Sequence, residues 1–399
     1  MRLLRHPYFL AVALSHWMVD IFSGQTGVLL AVLSGPLGLT NATIGLIATA
    51  YTCFSSLMQP VFGWLADRYG TRWSMGGGVL WMGFFFSLVA IVPNQWAVVC
   101  MIAGALGSAA FHPSGTLKAV QIGHERLAGQ VATATALFIL FGQGGQSLGP
   151  AVSGLIIDHL GRAGLLGVAV LSVPIGLFML SQSRPEAGVA HAPGVAREAA
   201  GRVPGAKPDL PMFALVMLVA SLRLWSQAAV TTFAPKYFHD LGVTPTIFGA
   251  IVALFMGGAA VGGLAGGMLS DRWNRRRTIT LALALSILPL YVLPTVQGVW
   301  LYPVAALAGL LSGAPHSIFI TMAQRSLPGR ATLASGITLG MMFASGAVGA
   351  YLSGLFADRV GLNLVLQGNA GLVAVAALLS LWLRSDSPQR QTAALAAGD

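Results

Sequence analysis

Charge is what this 399-residue chain has least of: Lys, Arg, Asp and Glu together make 9% of it, against about 25% in a soluble domain. A water-soluble fold of this length would lack surface charge, and that class is set aside. Cysteine is almost absent. Cys53 and Cys100 both lie in apolar stretches, so neither a disulfide framework nor a metal-ligand spacing follows. No P-loop, GxSxG element or zinc spacing is present. An enzyme is therefore not expected, no cofactor or metal is implied, and any transport must draw on an ion gradient or on the substrate's own gradient.

What is there is apolar. The hydrophobic set makes 55% of the chain and the mean hydropathy is +0.76. Crossing the hydrocarbon layer takes about 20 helical residues. Runs of that length predict twelve spans, at 8–33, 42–66, 74–93, 96–121, 127–158, 163–182, 211–238, 244–270, 277–296, 299–324, 331–357 and 362–383. The 50 glycines concentrate in these runs, where small residues let helix backbones approach. Arg2 and Arg5 before the first run resemble the start of a signal peptide, but the run exceeds the usual apolar core of one and further spans follow, so it reads as a retained first helix. Arg162, Lys236 and Arg359 fall in or at the edge of odd-numbered loops and Arg223 deep inside a span, while nearly all other Lys and Arg gather at the termini and in even-numbered loops. The positive-inside rule then puts both termini in the cytoplasm. The net charge of +10 is topological, and nucleic acid is not an expected partner.

Residues 183–210 break the apolar pattern with Pro, Gly, Ala and charges of both signs, as a cytoplasmic linker would. They separate an N-terminal bundle at 1–182 from a C-terminal bundle and short tail at 211–399. The two parts echo each other. GWLADRYGTR from Gly63 returns as GGMLSDRWNRR from Gly266, with Asp67 and Asp271 204 residues apart. SGLIIDHLG from Ser153 returns as SGLFADRVG from Ser353 at an offset of 200, and His112 in AFHPSG pairs with His316 in APHSIF at 204. Three landmarks at nearly one spacing indicate two pseudo-symmetric six-helix halves.

The polar residues left inside the spans are the site candidates, because a charge at the bilayer centre costs about 2.5–3.5 kcal/mol on insertion scales. His16 and Asp20 stand at i, i+4 on one helical face, which Gly24 and Gly27 continue, so they can titrate as a pair. Asp20 is either a proton carrier or a fixed anion paired with His16 or Arg223. Arg223 stays cationic and is either an anion clamp or the other half of that fixed pair. His112 precedes Pro113, which bends a helix and exposes backbone polar groups. It and His316 are candidates for ligand or proton contact, or for packing. Gln25, Trp225 and Gln227 could add stacking and hydrogen bonds to a substrate, or pack.

These features together resemble the major facilitator superfamily of transporters. GWLADRYGTR matches the G-x-L-a-D-r-x-G-x-[RK] signature of that family's loop between helices two and three at Gly63, Leu65, Ala66, Asp67, Arg68, Gly70 and Arg72. SHWMVD at Ser15–Asp20, SSLMQPVFGWLADRYG at Ser55–Gly70, FHPSG at Phe111–Gly115, GQGGQSLGP at Gly142–Pro150, and LPGR with the glycine-rich helix from Leu327 resemble the fosmidomycin-resistance family of bacterial efflux proteins more closely. The resemblance implies an all-α membrane protein of twelve helices in two halves, working by alternating access, with helices one, four, seven and ten lining the cavity. Those helices carry His16 and Asp20, His112, Arg223 and His316. It also implies cytoplasmic gating by Gly63, Asp67, Arg68 and Arg72, echoed by Asp271 and Arg272, where the residues alone require only topology. Gly145, Gly149, Pro150 and Gly154 resemble the fifth-helix motif of the superfamily's antiporters.

The expected function is therefore proton-coupled efflux of a small organic compound, anionic or neutral, such as fosmidomycin, by a monomer in a bacterial cytoplasmic membrane. A proton symporter or uniporter for an organic acid is the alternative. One departure stands out. Ser114 and Leu117 occupy positions where the fosmidomycin-resistance family commonly has an acidic residue and an Arg, with Lys118 next in line.

Overall fold

The computed structural model describes residues 6–126, 131–182, 208–328 and 331–384, and these are almost entirely helical. The helices are α1 (Pro7–Gly24), α2 (Thr26–Ser34), α3 (Asn41–Ser56), α4 (Gln59–Tyr69), α5 (Gly78–Ile91), α6 (Trp96–Arg126), α7 (Val131–Leu160), α8 (Leu166–Gln182), α9 (Leu210–Asp240), α10 (Pro245–Arg272), α11 (Arg275–Val292), α12 (Leu301–Gly313), α13 (His316–Ser326), α14 (Ala331–Val360) and α15 (Leu362–Ser380). Ten stretches of described helix are long and apolar enough to cross a membrane: Pro7–Ser34, Asn41–Tyr69, Trp73–Ile91, Trp96–His124, Arg162–Gln182, Leu210–Asp240, Pro245–Arg272, Gly298–Ser326, Gly336–Val360 and Leu362–Ser380. α7 and α11 stand where the fifth and ninth spans are expected. Both are diluted by polar residues, α7 by Gln143 and Gln146 in its glycine-rich middle, α11 by Arg275, Arg276 and Arg277 at its start.

Three expected spans are each two helices. α1 and α2 meet at Gln25, α3 and α4 at Leu57 and Met58 just before Pro60, and α12 and α13 at Ala314 and Pro315. A proline cannot donate to the helical ladder, which accounts for two of the breaks. Beside the first, Ser23 and Thr26 hydroxyls bond back to the carbonyls of Val19 and Ser23, a local competition that bends helices. Of the expected linker, 183–207 lies outside the described residues. At its end Asp209 caps α9 through Met212 N at 3.2 Å, donates its own N–H to Ser326 O at 2.8 Å and ion-pairs with Arg384. The repeat reaches into the backbone: Gly161 and Gly361, 200 residues apart, both turn the chain with positive φ, 68° and 87°. That conformation strains any residue with a Cβ. Gly70 (φ 93°) has Asn274 as its counterpart, which instead caps α11 through Arg277 N.

Contacts divide the chain into two compact units, Met1–Ala192 with Pro235–Ala253, and Pro193–Ala234 with Leu254–Asp399. In the first unit α1 packs most extensively on α7. Gly145 and Gly149 bring α7 onto the α1 backbone around Trp17, Ile21 and Gln25, and Gly24 answers from α1 against Gln146 and Pro150. The opposite flank of α7 meets the start of α10, Gly154 against Pro245 and Gly249. Ser147 Oγ also donates to Ala253 O at 2.9 Å. In the second unit α11 packs on α15 and α12, and α13 on α14. Both units are inside-out relative to a soluble domain. Leu155, Phe84, Leu264 and Leu288 are exposed while Asp20, Lys118 and Arg223 are buried, as expected when the surroundings are hydrocarbon.

Candidate functional site

In the first unit α1 holds His16 and Asp20 one turn apart, both buried. His16 Nε2 lies 3.4 Å from Asp20 Oδ2, and His112 Nε2, reaching across from α6, lies 3.5 Å from Oδ1. Each imidazole is held from behind by a backbone carbonyl. His16 Nδ1 is 2.7 Å from Phe138 O of α7, and His112 Nδ1 is 2.8 Å from Ser108 O. A carbonyl only accepts, which assigns the hydrogen to Nδ1 of His16. At His112 Nδ1 the Ser108 hydroxyl also stands at 3.2 Å, and the shorter contact to the carbonyl favours the same assignment, the hydroxyl oxygen accepting as well. Both Nε2 atoms therefore face the one carboxylate. Phe138 stacks on His16 with ring centroids 3.9 Å apart, and Phe111 lies beside both rings, 5.7 Å from His16 and 6.3 Å from Phe138.

Access of His16 to the α7 backbone depends on Gly142. A Cβ there would run into the His16 ring and come within 2.8 Å of Asp20 Oδ2. Gly142→Ala is accordingly expected to cut transport by at least about tenfold while the helices still form, since overpacking of this kind costs about 1–3 kcal/mol. Transport rate alongside circular dichroism checks it. The donor atoms of His16, Asp20 and His112 lie within 4.8 Å of one another, one compact polar cluster.

In the second unit Arg223 of α9 is 2% exposed. Its Nε donates to Ser312 O at 2.7 Å, a carbonyl at the α12–α13 break. Its Nη1 has no protein hydrogen-bond partner, and no carboxylate of this unit pairs with it among the described residues. His316, first residue of α13, lies within electrostatic reach. The hydroxyl of Ser226 and the carbonyl oxygen of Gln227 are likewise buried and unpartnered, and Gln227 Nε2 only grazes Met256 Sδ at 3.8 Å. Positions 223, 226 and 227 share one helical face. A buried polar atom left unsatisfied costs about 1–3 kcal/mol, and three such atoms stand on this one face.

Trp225 points elsewhere. Its Nε1 donates to Ser353 Oγ of α14 at 2.9 Å, and its side chain lies against Gly349. Trp225→Phe should therefore lower thermal stability by about 0.5–1.5 kcal/mol, the net worth of one hydrogen bond, and leave the half-saturating substrate concentration unchanged. Gln25 is buried at the α1–α2 break with Oε1 unpartnered. Gly63 on α4 lies against Pro113 of α6. Asp67 and Arg68 are exposed on the last turn of α4, with the Arg68 guanidinium over Trp64 and Tyr69, and Arg72 lies over Trp73. Asp271 and Arg272 are exposed at the end of α10. The departures have local reasons: Ser114 Oγ bonds Ser74 Oγ at 2.6 Å, tying α6 to the segment before α5, and Leu117 presents an apolar side chain outward.

The model of the Major Facilitator Superfamily matches residues 9–239 and 215–399. The chain belongs to that superfamily. Among relatives of this major facilitator protein, an uncharacterized MFS-type transporter of Bacillus subtilis, YfnC, is 26% identical over 392 residues, covering 97% of this chain and 95% of the relative. The fosmidomycin resistance protein of Escherichia coli is 27% identical over 370 residues, covering 90% and 88%. A solved bacterial homologue of the human lysosomal transporter Spinster, inward-facing and unoccupied, superposes with a TM-score of 0.77 at 15% identity over 94% of this chain and 95% of that one, a likeness of fold. The superfamily's members named here are transporters, and nothing in the chain resembles an enzyme.

Sequence reasoning missed Ser226, Gly142 and the carbonyl of Phe138. Ser226 stands three residues after Arg223 and Gly142 three before Gly145, so helical spacing held a signal for both. A backbone carbonyl carries none.

Proposed function

We propose that this major facilitator protein is a proton-coupled efflux antiporter of a small organic anion of the fosmidomycin type. The observation that carries the reading is the polar face of α9: a buried cation with a free N–H, a hydroxyl and an amide oxygen within one turn. Such a face suits a ligand with an anionic group and a hydrogen-bond donor about one helical turn away from it. The relative named fosmidomycin resistance protein supports export and substrate class, and the His16–Asp20–His112 cluster supports protons as the driving ion. Asp20 and His16 take the proton. Arg223, with His316, Gln227 and Gln25, serves the substrate, while Gly63, Asp67, Arg68, Arg72, Asp271 and Arg272 gate the cytoplasmic side. Gly145, Gly149, Pro150 and Gly154 seal helix five, and their backbone-level packing supports that role. Twelve spans in two halves, at 1–182 and 211–399, rock about a midplane site in the cytoplasmic membrane, both termini inside, as a monomer.

The test is fosmidomycin uptake into inverted vesicles with an interior-acid gradient imposed and then collapsed. Accumulation that vanishes with the gradient supports antiport, and uptake only under the opposite gradient assigns symport of an organic acid instead. No movement under either gradient, with folded protein present, refutes fosmidomycin as the cargo.

A further inference from the structure

We propose that the proton-handling unit is the three-residue set His16–Asp20–His112, that it holds up to two protons, and that the one between His112 and Asp20 is exchanged during transport. This rests on the proton-coupled reading above and, of the ligand, proton and packing roles open to His112, takes the proton. The argument is a count of hydrogens. Both Nδ1 hydrogens are committed to Phe138 O and Ser108 O, so a neutral ring at either position turns a bare lone pair toward a carboxylate oxygen. Two such rings against an ionised Asp20 would set three acceptors against one another at 3.4 and 3.5 Å, an arrangement with no attraction in it. A proton in each gap converts it into two charge-assisted contacts, with the cluster at a net charge of +1. When the His112 Nε2 proton leaves to water, the electron pair stays on nitrogen, the cluster falls to zero charge and the His112–Asp20 contact becomes repulsive.

The two rings are not equivalent. The His112 side chain is 25% exposed, against 8% for His16 and 10% for Asp20. His16 packs against both Phe111 and Phe138, which also stack on each other, whereas His112 precedes Pro113 at a point where α6 lacks one ladder hydrogen bond. His112 is the member built to let go, and its release would free α6 from α1. The other ionisable group that bears on the cluster is Tyr51 of α3, whose hydroxyl donates to Ser23 Oγ and reaches Asp20 electrostatically; Lys118 is buried six residues further along α6. The segments of α2, α5, α7 and α8 packed here supply none.

The experiment is 15N NMR of the full chain labelled at its eight histidines, in lipid nanodiscs, from about pH 5 to about pH 9. His16→Gln and His112→Gln assign the two signals. His112 is expected to pass from imidazolium to the Nδ1–H neutral form, neither ring to populate the Nε2–H tautomer, and Asp20→Asn to leave His112 neutral throughout. An Nε2–H tautomer at either ring, or an unchanged His112 in Asp20→Asn, overturns the proposal. So does tight one-to-one Co2+ binding with visible absorption that His112→Gln abolishes, which would make the set a metal site. His112→Gln should also flatten the pH profile of proton-driven uptake, with a loss of about tenfold at its optimum. The NMR signature needs neither substrate nor gradient. A silent vesicle assay beside the expected tautomers would therefore refute fosmidomycin as the cargo and leave the proton cluster standing.

Discussion

Asp20→Asn is expected to abolish proton-driven accumulation, a loss of roughly 100-fold, while substrate-for-substrate counterflow continues. The amide has the shape of the carboxyl it replaces and can donate to one Nε2, so α1, α6 and α7 keep their packing, with Gly142 still admitting His16. What disappears is the carboxylate that both rings face. Without it nothing holds a proton in either gap, and substrate and proton lose their coupling free energy, typically about 1–3 kcal/mol. Under the proposed function counterflow draws on the polar face of α9 and not on this cluster. Loss of both activities in a folded variant would show that Asp20 is structural, and retention of both that the proton is carried elsewhere.

Arg223→Ala should raise the half-saturating substrate concentration by about 10- to 150-fold, since a hydrogen bond to a charged group is worth about 1.5–3 kcal/mol. The same substitution should leave thermal stability unchanged or raised. A buried cation with one backbone acceptor and no acidic partner among the described residues of its unit costs desolvation that ligand-free protein recovers only in part. Had Arg223 been half of a fixed ion pair, its removal would strand a buried carboxylate and lower stability by about 3–5 kcal/mol. Arg223→Lys should fall between wild type and Ala. Its charge remains, but an ammonium cannot hold Ser312 O and present a second in-plane donor to the ligand as a guanidinium does. Transport kinetics beside a melting curve separate these outcomes.

The sequence by itself determined whatever depends on one helix at a time. Hydropathy is summed along a segment, so the apolar spans were readable to within a few residues, and α7 and α11 stood out only because Gln143, Gln146 and the Arg275–Arg277 run dilute them. Helical spacing put His16 and Asp20 on one face, and a charge in an apolar run flagged Arg223. Chain order also carried the echo of Gly161 in Gly361, down to the turn in the backbone. Only the tertiary structure decided what crosses between helices. It brought His112 to Asp20 and made both rings spend Nδ1 on carbonyls, left Arg223 without an acid in its unit, and tied Trp225 to Ser353. The break at Gln25, with no proline to announce it, also appeared only in three dimensions. The physical reason is that periodicity fixes the face a side chain occupies on its own helix. Its partners are set by how closely glycines such as Gly142 and Gly145 let the next backbone approach, and no local pattern records that distance.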